Sequence, residues 1–193
     1  RPDYGWGSEV TEEMAERLLA ERGFIVDPID GTRSFVAGDK TWAHSLAVSV
    51  NGQITAACVY LPVRDKLYLA ALGKGASLND EELSASSSDV LDGATVLSPK
   101  VSFRDEFWKD SPPPVARHFR PSLAYRMALV GEGRFDAMLT LRPAWEWDIA
   151  AGALIAEEAG AQVSDRHGQR LCFNSAARQP AGVVAGGREL HAA

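Results

Sequence analysis

Two β-rich runs, Thr41–Val50 and Ile54–Leu61, flank the dipeptide Asn51-Gly52. Asn-Gly supplies the two positive-φ positions of a tight turn whose twist matches that of paired strands, so this stretch has to fold back on itself as an antiparallel hairpin. Any architecture for the chain must therefore contain a sheet built around that hairpin. The run Lys66–Ala71 is predicted to extend the same sheet. Further strands are predicted at Phe24–Val26, ending at Asp27-Pro28, and at Ala94–Leu97, Phe135–Leu141, Ala161–Ser164 and Gly182–Ala185.

Helix signals alternate with these. Thr11–Gly23 has Thr11 as a cap, Met14, Leu18 and Leu19 at helical spacing and a terminal glycine; Ser122–Val130 and the Ala-rich Ile149–Ala159 also read as helices. Interspersed helices and strands favour a layered α/β (α+β) architecture over a bundle or a sandwich. We expect one domain over 1–193, with an internal passage between an N-terminal layer (1–97) and a C-terminal α/β layer (121–193). The Ser-rich Ser84–Ser88 and Pro112-Pro113-Pro114 mark that passage, and no internal repeat is present.

The formal net charge of −6 argues against binding a nucleic-acid polymer through a broad basic face. With 46% hydrophobic and 24% charged residues the chain has the usage of a soluble globular protein. No apolar run has the length of a membrane span, and Arg1–Val10 lacks the layout of a signal peptide, so the expectation is a cytoplasmic chain without a membrane partner. Cys58 and Cys172 are too few for a disulfide framework.

The chemistry concentrates in Asp27-Pro28-Ile29-Asp30-Gly31-Thr32, where two carboxylates straddle a proline of fixed φ beside a predicted strand end. Oxygen donors aimed at one point suit a hard cation. If Gly31 and Thr32 open a helical turn, their N–H groups face an anion such as phosphate, and Thr32 adds a hydroxyl. The same residues also read as ordinary turn pieces, with the aspartates capping backbone donors. Asp148, where the predicted helix starts, reads either as its N-cap or as a metal ligand from a distant part of the chain. Glu9, placed before a predicted helix, reads as a solvated or capping acid or as a further ligand. His44, His118, His167 and His191 are scattered, without a zinc spacing.

Asp27-Pro28-Ile29-Asp30-Gly31-Thr32, together with Trp147-Asp148-Ile149-Ala150-Ala151-Gly152 and Glu158-Ala159-Gly160, resembles the inositol monophosphatase family of magnesium-dependent, lithium-sensitive phosphatases, which includes 3'(2'),5'-bisphosphate nucleotidases. Tyr4–Glu9 resembles the segment holding the first metal glutamate, Gly73–Asn79 the Gly-x-Gly-Ala-x-x-Asn turn, and Ser122–Arg126 a Ser-x-Ala-Tyr-Arg helix start. The resemblance implies the layered αβαβα sugar-phosphatase fold and hydrolysis of a small phosphate monoester by a metal-activated water. Glu9, Asp27, Asp30, Asp148 and the Ile29 backbone oxygen then correspond to metal ligands for two or three Mg²⁺. Glu9, Asp30 and Thr32 correspond to the catalytic groups, and Gly31, Thr32 and Asp148 to substrate contacts. A small phosphorylated substrate is the implied partner, and a homodimer is plausible because relatives form one.

Three departures qualify the match. Relatives carry N-terminal helices ahead of this point, and the chain begins eight residues before Glu9, so an N-terminally truncated fold with newly exposed apolar surface is expected. Val10 replaces a second acid. Pro121, comfortable at a helix N1 position, replaces a glycine. Ahead of Asp148, Leu141 cannot bind sugar hydroxyls as an acid would, while Arg142 reads either as a solvated loop residue or as a group suited to pairing a second phosphate or carboxylate of a substrate. The expected substrates are thus an inositol phosphate or a bisphosphate nucleotide, with histidinol phosphate or a non-catalytic phosphate- or metal-binding role as the alternatives.

Overall fold

The computed structural model describes residues 3–10 and 15–193. The hairpin is present: β3 (Ala43–Val50) and β4 (Gln53–Leu61) pair antiparallel across Asn51 at φ 50° and Gly52 at φ 78°. Around it runs a seven-stranded sheet in the order β1 (Gly5–Ser8), β2 (Arg22–Asp30), β3, β4, β5 (Lys66–Ala71), β6 (Ala76–Leu78) and β7 (Glu81–Glu82). Among the described residues of this sheet only the β1–β2 pair is parallel. A five-stranded sheet has the order β11 (Gln162–Ser164), β12 (Val183–Gly186), β10 (Ala137–Thr140), β8 (Thr95–Leu97) and β9 (Ala116–His118).

Among the described residues four α-helices complete the fold: α1 (Thr32–Val36), α2 (Leu123–Gly131), α3 (Glu146–Glu158) and α4 (Arg188–Ala192). The helix α3 packs across the seven-stranded sheet, beside α2, and touches β11 and β12. It is buried on nearly every side, which its alanines allow, since a helix apolar all round belongs inside a core. Met127, Leu129, Ile149, Leu154 and Ile155 join Val59, Leu61 and Tyr68 in one continuous core that reaches Val183 and Ala185 of the second sheet. At Gly152 the two helices approach so closely that an added Cβ would lie 2.7 Å from the Met127 Cβ. The face of the large sheet away from α3 carries the register row Leu46–Cys58–Leu69, with Leu46 41% and Leu69 39% exposed.

Several expectations are corrected. The helix expected over Thr11–Gly23 is a 3-10 turn at Ala15–Leu19 followed directly by β2, with Gly23 inside the strand; Thr11–Met14 lie outside the described residues. Glu9 follows a strand, β1, which the sequence did not announce. The strand expected to end at Asp27-Pro28 continues to Asp30 through a bulge: Asp27 pairs with Ser45 and Asp30 with Ala43, three steps on β2 against two on β3. A bulge is where a strand tolerates a proline without a ladder donor. Asp148 is not the N-cap of α3; Trp145 is, and Asp148 stands inside the first turn. Pro121 is likewise not at N1, because Ser122 caps α2 and accepts a hydrogen bond from the Tyr125 N–H.

Candidate metal and phosphate site

The bulge in β2 sets the geometry. Freed from the β-ladder, the Ile29 N–H donates to Asp27 Oδ1 at 2.9 Å, and the Ile29 carbonyl accepts from Thr32 Oγ1 at 3.0 Å. The Pro28 carbonyl accepts from His44 Nδ1. Gly31, at φ 90° in the left-handed region that disfavours a Cβ, turns the chain from β2 into α1, with Thr41 O and Ser122 N 3.4 Å from where a Cβ would stand. Gly31 and Thr32 thus do open a helical turn.

Asp30 is held from the other side of the molecule. Its Oδ2 accepts from Ser122 Oγ at 2.6 Å and from the Ala124 N–H at 2.7 Å, so it serves the N-terminus of α2 as a remote cap. The capping reading of this aspartate is therefore right for one of its oxygens. Asp148 is positioned by the start of α3. There Ser45 Oγ donates to the Trp147 carbonyl at 2.9 Å, and the buried Glu146 carboxylate accepts from the Asn174 and Ser175 N–H groups and from Ser175 Oγ. Trp145 and Trp147 stack with centroids 4.6 Å apart beneath the Arg178 guanidinium.

Three distant elements thereby converge. One oxygen each of Asp27, Asp30 and Asp148 lies within 4.8 Å of the others. Burial, then the charges of Asp30 and Asp148, push the Asp27 carboxyl up to about 8. Burial, then Asp30, pushes Asp148 up to about 7, and burial raises Asp30 against its hydrogen bonds from Ser122 and Ala124. Without a cation, such a cluster holds protons that isolated aspartates release. All-oxygen donors that repel one another fit a hard divalent cation of the Mg²⁺ kind, which keeps waters and shares its sphere with phosphate oxygens.

The cluster opens into a cavity of about 600 Å³ that Ile29, Gly31, Thr32, Glu9 and Asp39 also line. Glu9 is exposed and acts on Asp27 and Asp148 through its charge, but its carboxylate lies outside the set of three. Arg142 is exposed and does not line the cavity. Arg126 does line it, and the sequence reading assigned it no role. The available signal was that Arg126 is the one charged residue between Ser122 and Gly131, placed where helix α2 is otherwise apolar.

The turn Gly73–Gly75 lies elsewhere and is built around Glu158, whose carboxylate accepts from the N–H groups of Gly73, Lys74 and Gly75 at 2.8–3.0 Å. Asn79 ties the same hairpin together by accepting from the Leu67 N–H and donating to the Asp65 carbonyl. Both motifs are structural.

The family model described as the inositol monophosphatase family matches residues 6–193. The chain belongs to the inositol monophosphatase family. The Dictyostelium discoideum inositol monophosphatase is 36% identical, covering 89% of this chain and 62% of that relative. The Escherichia coli Nus factor SuhB is 34% identical, covering 96% of this chain and 74% of its own length. The Staphylococcus aureus inositol monophosphatase II with inositol monophosphate bound superposes at a TM-score of 0.85 with 25% identity, over 98% of this chain and 74% of the other. The layered α/β architecture implied by the sequence resemblance is thus that of the solved inositol monophosphatases. The chain spans about three fifths of the length of the first of these relatives, 62%. Among the described residues, no helix is long and apolar enough to cross a membrane.

Proposed function

We propose that this chain hydrolyses a small phosphate monoester in a Mg²⁺-dependent reaction. The observation that carries the reading is the convergence of Asp27, Asp30 and Asp148 oxygens within 4.8 Å, at the wall of a cavity also lined by Gly31 and Thr32. In this reading Asp27, Asp30, Asp148, the Ile29 carbonyl and Glu9 hold two or three ions. The chemistry Mg²⁺ supplies when bound is polarisation of the phosphoryl group and acidification of a water. The N–H groups at the start of α1 receive phosphate oxygens, with Gly31 allowing the close approach. Glu9 and the Thr32 hydroxyl orient the attacking water, so the chain needs no nucleophile of its own. The Asp30 bonds to Ser122 and Ala124 hold its carboxylate in place beside the cluster.

Phosphate release by the purified chain, with and without Mg²⁺ and with added Li⁺, tests this on inositol 1-phosphate, adenosine 3',5'-bisphosphate and histidinol phosphate side by side. Mg²⁺-dependent release that Li⁺ suppresses is the expected result. A second reading, as a non-catalytic binding protein, is favoured by relatives named Nus factor SuhB. A folded chain that binds Mg²⁺ and releases no phosphate from any of the three esters selects that reading.

A further inference from the structure

Arg126 is 7% exposed, lies on α2 one turn after Leu123, and lines the same cavity as the three aspartates. Its Nε donates weakly to the Ser122 carbonyl at 3.4 Å, and its Nη1 is shut off from solvent without a hydrogen-bond partner. Among the described residues no carboxylate comes within ion-pairing distance of it. Phe119, 45% exposed, holds the guanidinium 5.2 Å above its ring, and Phe119, Pro121 and Leu123 form the cavity wall around it. A buried cation without an ion pair is costly, and its place on the wall of a ligand-sized cavity suits an acceptor that arrives with the ligand. The aspartates balance Arg126 only at a distance. Divalent cations on those aspartates take up their charge and leave the guanidinium uncompensated.

We propose that Arg126 is a specificity-determining residue that receives a second anionic group on the alcohol portion of the substrate. The inference rests on the phosphatase reading, in which the aspartates and the start of α1 take the phosphoryl group. The wall formed by Phe119, Pro121, Leu123 and Arg126 then faces the alcohol. A planar guanidinium pairs carboxylate or phosphate oxygens two at a time. The role that the sequence suggested for Arg142 thus passes to a residue that lines the cavity.

Two pairs of esters that differ only in the second anion provide the test. These are adenosine 3',5'-bisphosphate against adenosine 3'-monophosphate, and 3-phosphoglycerate against glycerol 3-phosphate. In Arg126→Gln, the kcat/KM ratio favouring the doubly anionic member is expected to fall about tenfold to a hundredfold, mainly through KM. The pair showing the larger fall identifies the anion as phosphate or carboxylate. Arg126→Lys, which keeps the charge without the planar fork, is expected to fall between wild type and Gln, and it carries the test if the Gln variant does not fold. Unchanged ratios for both pairs overturn the proposal, including the case in which Arg126 clamps the transferred phosphoryl group and both members lose alike. Calorimetric titration of the Mg²⁺-loaded chain with the same four compounds gives these ratios without turnover. A wild type that binds and discriminates but never hydrolyses overturns the phosphatase reading, and the affinity ratios still decide on Arg126.

Discussion

Asp30 carries two tasks on one carboxylate. Its Oδ2 satisfies Ser122 and the Ala124 N–H, and one oxygen of the same carboxylate lies in the cluster with Asp27 and Asp148. In Asp30→Asn the amide oxygen can keep the bonds to α2 while the cluster loses one formal negative charge. Mg²⁺-dependent turnover is then expected to fall by more than about 100-fold, with the urea midpoint close to wild type. Asp30→Ala instead leaves the Ala124 N–H unpaired and is expected to lose about 1–3 kcal/mol as well. Parallel phosphate-release and urea-unfolding curves separate the two, and wild-type turnover in the Asn variant sinks the assignment of Asp30. The sequence made Asp27, Asp30 and Asp148 legible because short motifs carry them. Arg126 was not legible as a cavity residue, because its burial depends on how α2 packs and not on its neighbours in the chain.

Among the elements, the pair α2 and α3 is joined most tightly at Gly152. An added methyl there would meet the Met127 Cβ at 2.7 Å and the Ala124 carbonyl at 3.2 Å. Gly152→Ala is therefore expected to destabilise by about 1–3 kcal/mol despite alanine's better helix propensity, as read from thermal or urea unfolding. An unchanged midpoint means that the helices separate without cost. The elements legible in the sequence were those with local signals: the Asn51-Gly52 hairpin, and the helix capped by Ser122. Strand β1 was hidden because Gly5-Trp6-Gly7-Ser8 has no alternation and owes its extended form to parallel pairing with β2. The 3-10 turn at Ala15–Leu19 defeated the helical spacing of Leu18 and Leu19, both of which are exposed. The proline that suggested a strand end marks the bulge instead.

For the molecule as a whole, the acid cluster couples stability to pH and to metal. In the metal-free folded chain Asp27 and Asp148 keep their protons up to about 8 and about 7, whereas an unfolded chain releases them near the ordinary aspartate value of about 3.9. Between those limits the folded state binds more protons than the unfolded one. Stability therefore falls as pH rises from about 4 through 8. After EDTA treatment the urea midpoint is expected to be lower at pH 8 than at pH 5, and excess Mg²⁺ is expected to restore it at pH 8, where fewer protons need displacing. A chelated chain that is equally stable at both pH values speaks against proton retention by the cluster.

The bulge at Pro28-Ile29 also bears on how this site reads under mutation. It frees a main-chain carbonyl that belongs to the peptide unit and not to any side chain. Replacing Ile29 by another residue leaves that oxygen in place, so an alanine scan passes over a ligand that the proposed chemistry uses. Deleting one residue there equalises the steps on β2 and β3 and is expected to displace that oxygen. At this position the site is encoded in the number of residues between two aspartates, and a change in chain length, invisible to a catalogue of substitutions, is what takes it apart.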